Sequence, residues 1–122
     1  MLLYLAADLI WGTKIKATAA AVGVNARPVR TLEMLEARLG DQTAEDPIRG
    51  VLLDLEKPEE AMAMLARLKA SPTPTPIRVI CWAPHVERAL MEQAKAAGAD
   101  AVMTRGAFDS QLERLAKDLD GK

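Results

Sequence analysis

The fold is decided by residues 51–58, which read VLLDLEKP. The apolar run from Val51 to Leu53 predicts a strand buried on both faces, because a half-buried strand would alternate apolar and polar residues. Asp54 and Pro58 bound this strand, and the two glutamates behind Pro58 predict the first turn of a helix. The stretch therefore predicts a buried strand that ends in a carboxylate and leads into a helix.

The rest of the chain repeats this order of strand and helix on both sides of the central unit. Short apolar runs predict the strands, and apolar residues at helical spacing predict the helices. The predicted strands are residues 2–7, 27–30, 77–82 and 101–104, and the predicted helices end at Gly23, Gly40 and Gly98 or begin near Asp109. Such alternation predicts an α/β fold with a five-stranded parallel sheet, helices on both faces and right-handed connections.

Composition and charge fit one domain over residues 1–122. Lysine plus arginine (16) and aspartate plus glutamate (17) nearly cancel and form no long runs, so we expect neither a nucleic-acid nor a membrane partner. Cys81 is the only cysteine, which excludes an internal disulfide and favours the cytoplasm. The apolar start of the chain differs from a signal peptide, because Asp8 interrupts it and its lysines follow Asp8 instead of preceding the apolar run. No later stretch is long enough to span a membrane.

Four polar residues follow or end predicted strands: Asp8, Asp54, His85 and Arg105. Because ligand sites of open parallel sheets lie at the carboxyl ends of the strands, we expect these residues to gather at one edge. Each also fits a structural role. Asp8 fits a helix cap and His85 a loop position, while Asp54 and Arg105 fit an ion pair in a partly buried pocket.

The segment VLLDLEKP, with Asp54 ending the third strand and Pro58 four residues on, resembles the phosphoacceptor segment of response-regulator receiver domains. The stretch PIRVICWA and the later GADAVMTRGAF resemble the last two strands of that family, and the likeness covers nearly the whole chain. It implies a flavodoxin-like sheet of strand order 2-1-3-4-5, Asp54 as the candidate phosphoacceptor and Arg105 in place of the family's lysine. It also implies Mg²⁺, for which Asp54 and Asp8 are the candidate ligands.

Several positions depart from the pattern of the family. Ala6 and Ala7 occupy the places of its acidic pair, and Asp8 comes one position late. Cys81 stands for its hydroxyl residue, Val102 for its aromatic residue and Gly106 for its proline. His85 has no counterpart among its required groups. These departures favour a degenerate receiver, or pseudo-receiver, over an active one.

The leading hypothesis is a stand-alone signalling module of a two-component system or phosphorelay, because the chain ends after the fifth helix. It would act by contact with a histidine kinase, a downstream regulator or a second copy of itself, without being an enzyme. The alternative is a small flavodoxin-like enzyme or ligand-binding domain that uses the four strand-end residues. Against it, residues 7–12, ADLIWG, lack a glycine-rich phosphate loop, and no nucleophile stands convincingly beside His85 for a hydrolase triad.

Overall fold

The computed structural model describes residues 1–70, 72–73, 75–84 and 87–120. Strands and helices alternate along the chain, as the sequence predicts. The strands are β1 (Leu2–Leu5), β2 (Ala26–Pro28), β3 (Gly50–Asp54), β4 (Arg78–Ala83) and β5 (Ala101–Thr104). The helices are α1 (Leu9–Ala21), α2 (Leu32–Asp41), α3 (Pro58–Ala70), α4 (Arg88–Ala96) and α5 (Arg105–Leu119). None of the helices in the described ranges is long and apolar enough to cross a membrane.

The five strands form one parallel sheet in the order β2-β1-β3-β4-β5, which confirms the strand order that the resemblance implies. In its register Leu5 of β1 lies beside Leu53 of β3, and Asp54 lies beside Trp82 of β4. Because all strands run in one direction, their carboxyl ends share one edge of the sheet. The connections that follow β1, β3 and β5 therefore meet at that edge.

Side chains alternate between the two faces of the sheet and fill a separate apolar core on each. On the first face, Leu3, Leu53 and Cys81 pack with residues of α2, α3 and α4. On the second face, Leu52 and Trp82 pack with residues of α1 and α5. The central strand is buried throughout, as its unbroken apolar run predicts.

The helix ends follow local chemistry. Asp8, Thr31 and Thr104 cap α1, α2 and α5, each by accepting a hydrogen bond from a backbone N–H of the first turn. Gly23 and Gly98 adopt positive φ just after α1 and α4, as expected where a chain leaves a helix.

Several predicted boundaries shift, among them the following three. Strand β2 covers Ala26–Pro28 rather than 27–30, and α2 runs through Gly40 to end at Asp41. Helix α5 begins at Arg105, directly after β5, and not near Asp109. The cap at Thr104 explains this early start, because it satisfies the N–H of Ala107 within the first turn.

Candidate functional site

The carboxyl edge of the sheet carries three of the four polar residues singled out in the sequence. Asp54 ends β3, Asp8 follows β1, and Arg105 is the first residue of α5 after β5. The fourth, His85, lies outside the described residues. The sequence therefore placed the three described residues at one edge; Asp8 makes the expected helix-cap contact, whereas Asp54 and Arg105 do not make the expected ion pair.

Asp54 is buried, with 1% of its surface exposed. Its Oδ2 accepts a hydrogen bond of 2.9 Å from the backbone N–H of Ala7, and its Oδ1 accepts one of 3.0 Å from the backbone N–H of Glu56. Burial raises the pKa of Asp54, while the two backbone N–H groups and, more weakly, the charge of Arg105 act to lower it. Both carboxylate oxygens are thus already engaged by the protein.

The predicted ion pair between Asp54 and Arg105 is wrong. Arg105 instead directs its Nη2 towards Oε2 of Glu56, at 3.5 Å, and its buried Nε has no hydrogen-bond partner among the described residues. Two backbone N–H groups stabilise the carboxylate of Asp54 in place of the guanidinium. Glu56 is therefore a site residue that the sequence reasoning missed, although an acidic residue two positions after Asp54 was the available signal.

Asp8 acts as a helix cap. It is exposed, and its Oδ1 accepts a hydrogen bond of 2.9 Å from the backbone N–H of Trp11. Within the described ranges, no group of three or more histidine, cysteine, aspartate or glutamate side chains is placed to hold a metal. Mg²⁺ prefers an octahedral shell of oxygen ligands, and here one candidate carboxylate is buried and engaged while the other caps a helix. Asp54 and Asp8 therefore do not fit a magnesium site.

Cys81, which stands for the hydroxyl residue of the family, does not face Asp54. It lies beside Leu53 in the sheet and packs in the core of the first face, where burial raises the pKa of its thiol to about 12. The residue of β4 beside Asp54 is Trp82, which is fully buried on the second face. Trp82 stacks on Phe108 of α5, with ring centroids 4.1 Å apart and planes 1° from parallel.

The alternative pocket of Asp8, Asp54, His85 and Arg105 has no direct support from these contacts. Each of the three described members is engaged with a different partner: Asp8 with Trp11, Asp54 with two backbone N–H groups, and Arg105 with Glu56. A reacting group would have to displace one of these interactions. The arrangement stabilises the loops after β1 and β3, and each carboxylate oxygen of Asp54 accepts one backbone N–H.

Comparison with solved structures shows where this fold occurs. A response regulator from Thermotoga maritima superimposes with a TM-score of 0.75 at 19% identity, covering 99% of this chain and 97% of that one. A response regulator receiver protein from Burkholderia phymatum gives a TM-score of 0.73 at 22% identity, covering 98% of this chain and 94% of that one. A response regulator from Burkholderia pseudomallei gives a TM-score of 0.69 at 14% identity, covering 97% of this chain and 69% of that one. Its structure has a phosphorylated aspartate, a calcium ion and citrate.

The chain thus has the fold of response-regulator receiver domains, and the resemblance stated from the sequence is confirmed for the fold. No family model and no curated protein matches the sequence. At these identities the likeness establishes architecture, so the chemistry of the site has to be argued from its own residues.

Proposed function

We propose that this chain is a receiver-fold signalling module that acts by binding partner proteins and does not carry a phosphoryl group on Asp54. The observation that carries the proposal is the state of Asp54, which is 1% exposed and accepts a backbone N–H on each carboxylate oxygen. A phosphoacceptor must present a free carboxylate oxygen to the incoming phosphorus, in line with the leaving group. Each oxygen keeps a second lone pair, but Asp54 would have to leave its buried position to present it.

The charges around Asp54 support the same proposal. Phosphoryl transfer spreads negative charge over the transferred oxygens, which a metal ion or nearby cations must stabilise. At the end of β1 this chain offers the backbone N–H of Ala7 to Asp54, where the receiver pattern has carboxylates that hold Mg²⁺. Arg105, whose charge acts on Asp54, is directed towards Glu56.

The fold and the buried position of Asp54 support signalling by contact. Receivers of the same architecture occur in response regulators, so the partner class we propose is a histidine kinase or a downstream regulator, with a second copy of the chain as the remaining option. Leu9 and Ile10 at the start of α1 are 82% and 80% exposed and offer apolar surface to such a partner. The proposal includes a cytoplasmic location and no enzymatic activity.

Treatment with a phosphodonor tests the proposal directly. We would incubate the protein with Mg²⁺ and acetyl phosphate and measure its intact mass over time. The response regulator from Burkholderia pseudomallei, treated in parallel, is the positive control, because its structure has a phosphorylated aspartate. We expect no mass gain in this chain. A stoichiometric mass gain that Asp54→Asn abolishes would overturn the proposal.

A further inference from the structure

A groove of about 440 Å³ opens at the carboxyl ends of β1 and β2, beside the start of α1. Its walls are the ends of these two strands, the first turns of α1 and Lys57 from the connection after β3. Asp54 and Arg105 are not among its lining residues. The groove therefore adjoins the carboxylate site at Ala7, which donates its N–H to Asp54, but it is lined by other charged groups than Asp54 and Arg105.

Positive charge dominates the lining of the groove. Among the described residues, the cations Lys16, Arg30 and Lys57 line it together with a single acid, Asp8. Asp8 already caps α1, whereas the three cations form no ion pair with any residue in the described part of the chain. Three cations against one acid leave an excess of positive charge, which favours an anion.

The groove also has an apolar wall. Tyr4, only 6% exposed, and the buried Val29 line its floor, and Leu9 lines its side. Burial raises the pKa of the Tyr4 phenol, while the charges of Arg30 and Arg38 lower it. The positive charge of Arg30 is therefore felt at Tyr4. A ligand here meets apolar surface and cationic groups together, as in most small-molecule sites.

The position of the groove in the sheet is also one where ligands bind. In the order β2-β1-β3-β4-β5, the chain goes from β1 to one side and then crosses to the other, so the strand order reverses between β1 and β3. Open parallel sheets bind ligands in the crevice at the carboxyl ends of the strands beside this switch point. The groove borders this crevice through the end of β1 and through Lys57, which follows β3.

We propose that this groove binds a small organic phosphate, with the phosphate held by Lys16, Arg30 and Lys57 and the apolar body against Tyr4 and Val29. A phosphate monoester carries close to two negative charges near neutral pH, which suits three cations better than the single charge of a carboxylate does. This site is independent of any phosphorylation of Asp54, because the ligand is held without covalent chemistry.

Calorimetric titration of the full chain with phenyl phosphate tests the proposal, at pH 8, well above the second phosphate pKa of about 6. Benzoate and inorganic phosphate are the comparison probes. Benzoate carries only one negative charge, and inorganic phosphate has no apolar body. We expect saturable 1:1 binding that is tightest for phenyl phosphate. Absence of saturable binding, or benzoate binding as tightly as phenyl phosphate, would overturn the proposal.

Charge-neutral variants locate the site. Arg30→Gln and Lys16→Gln should each weaken phenyl phosphate binding by about tenfold, because each removes a charge-assisted contact. Arg27→Gln is the matched control, since this exposed residue of β2 does not line the groove and the change in net charge is the same. An equal loss in Arg27→Gln would mean non-specific attraction and overturn the assignment to the groove.

Discussion

Asp54 owes its environment to two backbone N–H groups that come from the connections after β1 and β3. A buried carboxylate is costly unless it is hydrogen-bonded, and charge-assisted bonds are the strongest that the backbone offers. By accepting one bond from each connection, Asp54 fixes these two connections relative to each other. The main role of the Asp54 side chain is therefore structural.

Replacing Asp54 with asparagine should therefore destabilise the protein. The amide keeps one acceptor oxygen, but its NH₂ group would face a backbone N–H, so one buried donor would lose its partner. We expect a loss of about 1–3 kcal/mol in the free energy of unfolding, measured by denaturant titration. Asp8→Asn is the matched control, because asparagine caps a helix as well as aspartate does and should change stability very little. Equal effects of the two substitutions would contradict this account.

The stability contributed by Asp54 should also depend on pH. Burial raises the pKa of this carboxyl in the folded protein, so the folded state binds a proton more readily than the unfolded chain does. The stabilisation from protonating Asp54 is therefore fully present below the ordinary pKa and is lost as pH rises through the raised one. The stability difference between wild type and Asp54→Asn should grow as pH falls through that window. Denaturant titrations of both proteins from neutral pH to pH 4 would measure this. A stability difference that stays constant over this range would contradict the expected pH dependence.

The sequence predicted the location of these residues better than their contacts. The cap at Asp8 could be predicted, because a cap bonds within its own helix turn and needs no distant partner. The pairing of Arg105 with Glu56 could not, since it depends on how a long flexible side chain reaches a different loop. The binding of Asp54 to backbone N–H groups was equally hidden, because every residue except proline carries that donor.

Helix boundaries depend on short local signals that compete with one another. For the last helix, Asp109 looked like the cap because aspartate is favoured at that position. The structure begins α5 at Arg105 with Thr104 as the cap, so Gly106 lies in the first turn, where the first N–H groups have no intrahelical partner in any case. Two good caps five residues apart cannot be ranked by propensity alone.

Removal of the Thr104 hydroxyl tests this boundary. Thr104→Ala leaves the backbone N–H of Ala107 without its partner and should lower the free energy of unfolding by about 1 kcal/mol. Thr104→Ser keeps the accepting oxygen and should recover most of that loss. Thermal or denaturant unfolding of both variants provides the measurement. If the two variants were equally destabilised, the hydroxyl would not be the stabilising group.

At the scale of the whole molecule, alternation of strands and helices was enough to predict a parallel sheet covered on both sides. The strand order came only with the resemblance to receivers, because periodicity does not say which strands are neighbours. The face occupied by Cys81 and Trp82 was also undetermined. A strand buried on both faces reads as uniformly apolar, so only the observed register shows that Trp82 and not Cys81 lies beside Asp54.

Gly50 is the point where the beginning, middle and end of the chain meet. A Cβ atom at this position of β3 would lie 2.8 Å from Cδ2 of Leu2 in β1 and 3.0 Å from Cβ of Leu119 in α5. Both neighbours are buried in the core of the second face, and a Cβ cannot move without its backbone. Gly50→Ala should therefore lower the free energy of unfolding by about 1–3 kcal/mol, as overpacked cores do.

Gly40→Ala is the matched control, since Gly40 lies in α2 with open space around it and should gain about 0.5 kcal/mol from the better helix propensity of alanine. Chemical denaturation of wild type and the two variants would show whether the free energy of unfolding falls in Gly50→Ala and rises in Gly40→Ala. If Gly50→Ala were as stable as wild type, the close approach of α5 to the sheet at Leu119 would be wrong. The packing of α5 on the second face would then need a different arrangement.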